Sequence, residues 1–332
     1  MTSLRGDSYI EADDNHEQLF EDGVALTEQY KATGTNLHDL ATAISKLRRA
    51  VELTPKDHPD MAHRLGRVGY SLWLRFEDSG DVEAIAEAIS VQETALELTR
   101  EGHPDMAVRL DHLGTSIHSR FEHTGDIQDI AKVISMKRRA VDLTPEGHPD
   151  MASARLANLG TSMHSRFNHT GDLQDIAEAI SMKRRAVDLT PEGHPDTASR
   201  LAGLGSSLLS RFERTGDIHD LVEAISAQQR ALELTPEDHP GMALRLGNLG
   251  TSLHSRFERN GDLQDLTEAI SGGRLALELT PEGHPDMALR LFNLGTSLRS
   301  RFGGKVAPAA HTLGGVKPPR VPVLGLVLFE QI

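Results

Sequence analysis

The chain has seventeen histidines, and six of them precede proline, at residues 58, 103, 148, 194, 239 and 284. A second histidine row, His118, His164 and His254, has Trp73, Leu209 and Arg299 at the equivalent places. Such rows invite a metal site, and distance argues against one. Zinc needs ligand nitrogens at about 2.0–2.1 Å, whereas residues one repeat apart lie on elements whose axes are about 8–10 Å apart. Neighbouring members of a row therefore cannot share an ion, and no metal or other cofactor is expected. Each His-Pro histidine reads as a turn residue.

Two arginine rows are as regular: Arg64, Arg109, Arg155, Arg200, Arg245 and Arg290, and Arg75, Arg120, Arg166, Arg211, Arg256 and Arg301. They are either a basic track for an acidic ligand or a ladder of ion pairs. With 49 acidic against 35 basic residues, pairing is favoured, including with the Asp of each "GD". Serine and histidine recur together in "TSxHSR", but no third partner is fixed beside them, and an active site breaks a repeat rather than being copied along it. The absence of cysteine excludes disulfides and a thiolate nucleophile, and no glycine-rich phosphate loop is present. The chain is expected to be noncatalytic.

The elements that carry these rows form an array. The His-Pro spacings are 45, 45, 46, 45 and 45 residues, and "ISMKRRAVDLTPEGHPD" stands verbatim at 134–150 and 180–196. The 46-residue step holds one extra residue between Ala152 and Arg155, for the first turn or the preceding loop to absorb. Each unit splits into two helices. Ala107, Leu110, Leu113, Ile117 and Phe121 recur at helical steps, and Ile127, Ile130, Ile134 and Val141 do so in the second helix. His-Pro-Asp opens the first helix, with Pro104 suited to its first position. Asp126 caps the second, with Asp129 as an acidic relative of the capping box, and "LTPEG" ends it. Residues 17–55 form a degenerate first unit. The count is six helix pairs plus one unpaired helix at about 285–302, with no strands.

Within each pair a Leu-Gly in the first helix, two alanines seven apart and a later proline recur, as in Leu159–Gly160, Ala179, Ala186 and Pro191. This pattern resembles the tetratricopeptide repeat, whose small residues let two helices cross closely. The unit departs from the standard 34 residues by about eleven more, and Lys137, Lys183 or Gln228 replaces an aromatic between the alanines. The long variant resembles the arms of fungal tetratricopeptide proteins that precede a CHAT domain. The resemblance implies an all-α, right-handed superhelical solenoid whose first helices line a concave groove that holds a protein or extended-peptide partner. Carried over by the Leu-Gly anchor, the groove positions before it are Arg67, His112, Asn158, Gly203, Asn248 and Asn293. Those after it are Tyr70, Thr115, Thr161, Ser206, Thr251 and Thr296, and the next turn adds Trp73, His118, His164, Leu209, His254 and Arg299. The lysines of chaperone-type carboxylate clamps are missing, and the asparagines look more like kinesin-light-chain-type repeats. An Asn amide both donates to and accepts from a peptide backbone; it is equally tolerated on a solvated face.

The net charge of −14 disfavours nonspecific attraction to nucleic acid or an anionic membrane. No stretch approaches the ~18–20 apolar residues of a membrane span. The opening residues lack a signal-peptide core, so a cytoplasmic location is expected. Residues 1–16 read as a disordered acidic segment, 17–302 as the solenoid and 303–332 as a Gly/Pro-rich tail outside the repeat. The last helix then lacks its partner, leaving Leu291, Leu294, Leu298 and Phe302 poorly covered. This offers the alternative of a solenoid that self-associates end to end.

Overall fold

The computed structural model describes residues 15–34, 36–145 and 147–303. These residues form thirteen α-helices and no strand, as helix pairs stacked in chain order within two compact units, residues 1–145 and 146–332. The first unit pairs α1 (His16–Thr33) with α2 (Leu37–Leu53), α3 (Met61–Ser79) with α4 (Val82–Glu97), and α5 (Met106–Thr124) with α6 (Ile127–Asp142). The second pairs α7 (Pro149–Thr170) with α8 (Leu173–Leu189), α9 (Thr197–Thr215) with α10 (Ile218–Glu233), and α11 (Met242–Asn260) with α12 (Leu263–Glu278); α13 (Met287–Gly303) follows. In each unit a second helix packs on the next first helix, and successive first helices touch. The expected tail lies outside the described residues except for Gly303. So does the expected N-terminal segment, except that Asn15 caps α1 and His16 opens it.

Local chemistry explains the boundaries. Every "TGD"-type turn places a glycine at φ near +70°, as Gly125 does at 72°, and its N–H donates to the Phe121 carbonyl at 2.7 Å. Asp126 then accepts from the Gln128 N–H at 2.9 Å, the expected N-cap. The capping-box role for Asp129 is not seen. Its carboxylate is turned back onto Arg120, which donates to it twice at 2.8 Å. The first helices begin later than expected, because His-Pro-Asp forms a turn before them. In that turn the Asp105 N–H donates to His103 Nδ1 at 3.1 Å and the Met106 N–H to the His103 carbonyl at 2.9 Å. Among the described residues proline opens a helix only at Pro149. There α7 runs 22 residues against 19 in α5, α9 and α11, so its first turn takes up the extra residue of the 46-residue step.

The core of each pair is drawn from the predicted apolar stripe, except that Ile127 is 46% exposed and Val141 half-buried. Leu110, Leu113, Ile117 and Phe121 of α5 are buried against Ile130, Ile134 and Ala140 of α6. At the first five crossings the glycine at the Leu-Gly position admits a side chain from the second helix. Leu47 lies over Gly23, Gln92 over Gly69, Lys137 over Gly114, Lys183 over Gly160 and Gln228 over Gly205. All five are buried, the polar ones by their methylene stems.

Most members of both arginine rows are paired. Arg64, Arg109, Arg200, Arg245 and Arg290 donate to the threonine that ends the preceding second helix: Thr54, Thr99, Thr190, Thr235 and Thr280. Each of these threonines donates in turn to an alanine carbonyl four residues back. The arginine thus staples one pair to the next. In the other row Arg120, Arg166, Arg211 and Arg256 grip Asp129, Asp175, Asp220 and Asp265 through two donors each. The partner is the second Asp of "GDxxD"; only Arg75 takes the first, Asp81, at 2.6 Å.

Candidate functional site

The predicted groove residues fall on the first helices, and each unit presents its own set. In the first unit the set is aromatic. The Arg67 guanidinium bonds Glu28 at 2.7 Å and lies 5.5 Å from the Tyr70 ring centre. Tyr70 packs against Trp73 at 5.6 Å and His112 at 5.9 Å between centroids. Trp73 Nε1–H donates to Ser119 Oγ on the next first helix at 3.0 Å. Thr115 is half-buried, its hydroxyl donating to the Asp111 carbonyl at 3.0 Å. His118 meets Glu122 at 3.2 Å, and burial holds its pKa below the usual histidine value against the pull of that carboxylate.

In the second unit the set is polar and, before Arg299 at its end, rich in asparagine and threonine. Asn158, Thr161, Asn248, Thr251, Asn293 and Thr296 are all half-buried. The Asn293 amide reaches from α13 to Thr251 Oγ1 of α11 at 3.4 Å. The hydroxyls of Thr251 and Thr296 donate to carbonyls one turn back, at 3.0 and 2.9 Å, which leaves their oxygens able to accept. Arg299 is exposed at the far end of the row.

The third turn of the groove departs from expectation. His164 is only 3% exposed, so it cannot meet a partner. Its Nε2 pairs with Ser210 Oγ at 2.9 Å and its Nδ1 with Ser207 Oγ at 3.1 Å. His254 likewise pairs with Ser300 Oγ at 3.0 Å. These residues join successive first helices, as Trp73 does, because adjacent first helices pack close enough for position i to meet a serine at i+46 or i+43. Neutral imidazole offers one donor and one acceptor, which two hydroxyls match. Burial, reinforced by the Lys183 charge, drives the His164 pKa well below 6.5.

Below about pH 6.5 the unfolded chain takes up a proton at this histidine that the folded chain refuses, so the stability present above that pH is lost on acidification. Between pH 6.5 and 5 that loss grows as this histidine is protonated in the unfolded chain. Urea unfolding of wild type and His164→Gln across that range is expected to show a shallower slope in the variant, and identical slopes would refute the assignment.

Sequence reasoning passed over one crossing. Opposite Gly250 of α11, where the other pairs bring a long side chain, α12 carries Gly273. A cavity of about 240 Å³ opens there between α11, α12 and α13. The signal was legible as "SGGRLALE" against "SMKRRAVD" and "SAQQRALE".

Among the described residues no three or more His, Asp or Glu side chains are grouped to hold a metal ion, and no helix is long and apolar enough to cross a membrane. No family model matches the sequence, and no curated protein matches it. Several solved structures are similar in fold. One is the Podosopora anserina putative kinesin light chain with nearly identical TPR-like repeats, at 14% identity and TM-score 0.46, covering 65% of this chain and 98% of that one. Another is the apo form of RapI, at 12% identity and TM-score 0.45, covering 88% of this chain and 99% of that one. A third is BtubC (BKLC) from P. vanneervenii, at 13% identity and TM-score 0.41, covering 92% and 99%.

Proposed function

We propose that the chain is a noncatalytic interaction scaffold whose first helices hold an extended peptide or protein segment. The observation that carries this reading is the half-buried amide and hydroxyl row of the second unit: Asn158, Asn248 and Asn293 with Thr161, Thr251 and Thr296. Uncharged groups that donate and accept suit a peptide backbone and make little demand on its sequence. The long Asn293–Thr251 contact, at 3.4 Å, is one a backbone carbonyl can displace at small cost. The net charge of −14 favours a cationic partner and speeds its encounter.

Panning a displayed-peptide library on the full chain tests this. Enriched peptides are expected to bind at least tenfold more weakly to the variant carrying Asn158→Ala, Asn248→Ala and Asn293→Ala; equal binding would sink the groove. A second reading, end-to-end self-association, is favoured by the exposure of Leu291 and Phe302 on α13, at 54% and 68%. Sedimentation of the same preparations separates the two. A mass that rises with concentration, and stops rising when a polar helix is added after Phe302, selects self-association. On the resemblance to CHAT-bearing arms we extend the scaffold reading to a sensor or adaptor arm, which turns on whether the native transcript carries "GDL" and a further domain beyond residue 302.

A further inference from the structure

We infer that the cavity between α11, α12 and α13 is a recognition pocket for a lysine side chain of the bound segment. The inference deepens the scaffold reading and rests on it. The other crossings show what this position accommodates. Gln92, Lys137, Lys183 and Gln228 fill it from within, each 2–4% exposed, with a methylene stem lying over the facing glycine. At the sixth crossing both faces are glycine, Gly250 and Gly273, and no stem is supplied. The room that remains, about 240 Å³, lies under the ~300 Å³ at which pockets for whole small molecules begin. It suits a single side chain.

The lining gives that side chain a direction. Along α11 the cavity runs from Gly247 to Glu258, a span of about 16 Å at the helical rise of 1.5 Å per residue. It is therefore a trough, with a floor of Gly250, Gly273 and Ala269. A stem laid on this floor places its head group at the Glu258 end. The Glu258 carboxylate is 61% exposed, and its nearest ionisable neighbour among the described contacts is His254, at 4.0 Å. The other charge on the trough, Arg290, is already held by Asp286 at 3.2 Å and by Thr280.

A second break in the repeat falls at the same place. Phe292, 65% exposed, stands on the lip, where the other first helices carry Gly66, Asp111, Ala157, Ala202 and Gly247. An aromatic face there covers the alkyl stem where it enters the trough. Hole, lip and carboxylate together match a linear alkylammonium, and the acidic chain as a whole favours its approach.

Titration of the full chain with Nα-acetyl-lysinamide, followed by NMR at Gly250, Gly273 and Leu294, tests the inference. Saturable shifts are expected. Gly273→Gln restores the residue used at two other crossings, so it keeps the fold while filling the trough, and it should abolish the shifts. Glu258→Gln should weaken lysinamide binding severalfold and leave Nα-acetyl-norleucinamide unaffected. Three results would overturn the inference: no saturation, equal binding to Gly273→Gln, or norleucinamide binding as tightly as lysinamide. The probe does not touch Asn158 or Asn248. Its failure with library peptides still captured removes the pocket alone, whereas loss of peptide capture with the probe still bound removes the groove.

Discussion

Arg211→Ala is expected to destabilise the second unit by about 3 kcal/mol, the low end of what removing one partner of a buried ion pair costs. Arg211 donates to Asp220 at 2.7 and 2.6 Å. The carboxylate side chain is 6% exposed and the guanidinium 26%. Deleting the arginine therefore strands a desolvated negative charge beneath α9. Water reaching the vacated outer half of the site keeps the cost near the low end. Arg211→Lys should recover less than half, since one ammonium cannot reproduce the two-pronged geometry. Replacing both partners by apolar residues should recover more, because no buried charge is then left alone. Urea unfolding followed by circular dichroism reads all three. Because each pair is stabilised by its neighbours, the loss should appear as an earlier transition of part of the helical signal. A change below ~0.5 kcal/mol would place the pair with ordinary surface ion pairs.

That pair also marks where the sequence stops being readable. The 45-residue period, the two helices per unit, the Asp caps and the Leu-Gly crossings all follow from local patterns of spacing and residue type. The Arg–Asp ladder was legible as pairing but not as to partner. Asp217 and Asp220 both lie near Arg211, and only the fold shows that Asp217 is used up capping His219, at 3.0 Å. His-Pro-Asp was readable as a helix start, but the His103 ring accepts the Asp105 N–H and turns the chain before the helix begins. The groove rows fared unevenly for a similar reason. Asn248 and Thr251 keep part of their surface, whereas His164, three residues beyond Thr161 on its own helix, is closed off by two serines of α9. How far around a first helix the open face extends depends on the angle at which the next one packs, and that angle is not written in one repeat. The trough at Gly273 is the reverse case. Its signal was local, two glycines in place of a lysine or glutamine, but repeats read for what they share hide what one of them lacks.

Gly160→Val should cost about 3 kcal/mol or more, while the same change at the equivalent Gly250 is expected to cost far less. A Cβ on Gly160 would stand 2.7 Å from Lys183 Cγ and 3.0 Å from the Ala179 carbonyl oxygen. The first is the root of a buried side chain and the second is backbone, so neither can give way cheaply. Forcing them apart shifts α7 against α8, an overpacking penalty of typically ~1–3 kcal/mol, and valine adds its own restriction in a helix. At Gly250 the only atoms within reach are the Ala269 carbonyl oxygen and Cα, at 3.4 and 3.9 Å, because Gly273 brings no side chain across. Gly66 of α3, with nothing within 4 Å, is the control for backbone entropy: Gly66→Ala should stabilise by ~0.5–1 kcal/mol. Thermal and urea unfolding of the three variants decides the matter. Equal losses at Gly160 and Gly250 would mean that glycine is needed at both for the helix crossing itself. The expected inequality would mean that the cost depends on the side chain facing each glycine, and so that the sixth crossing has room the fourth lacks.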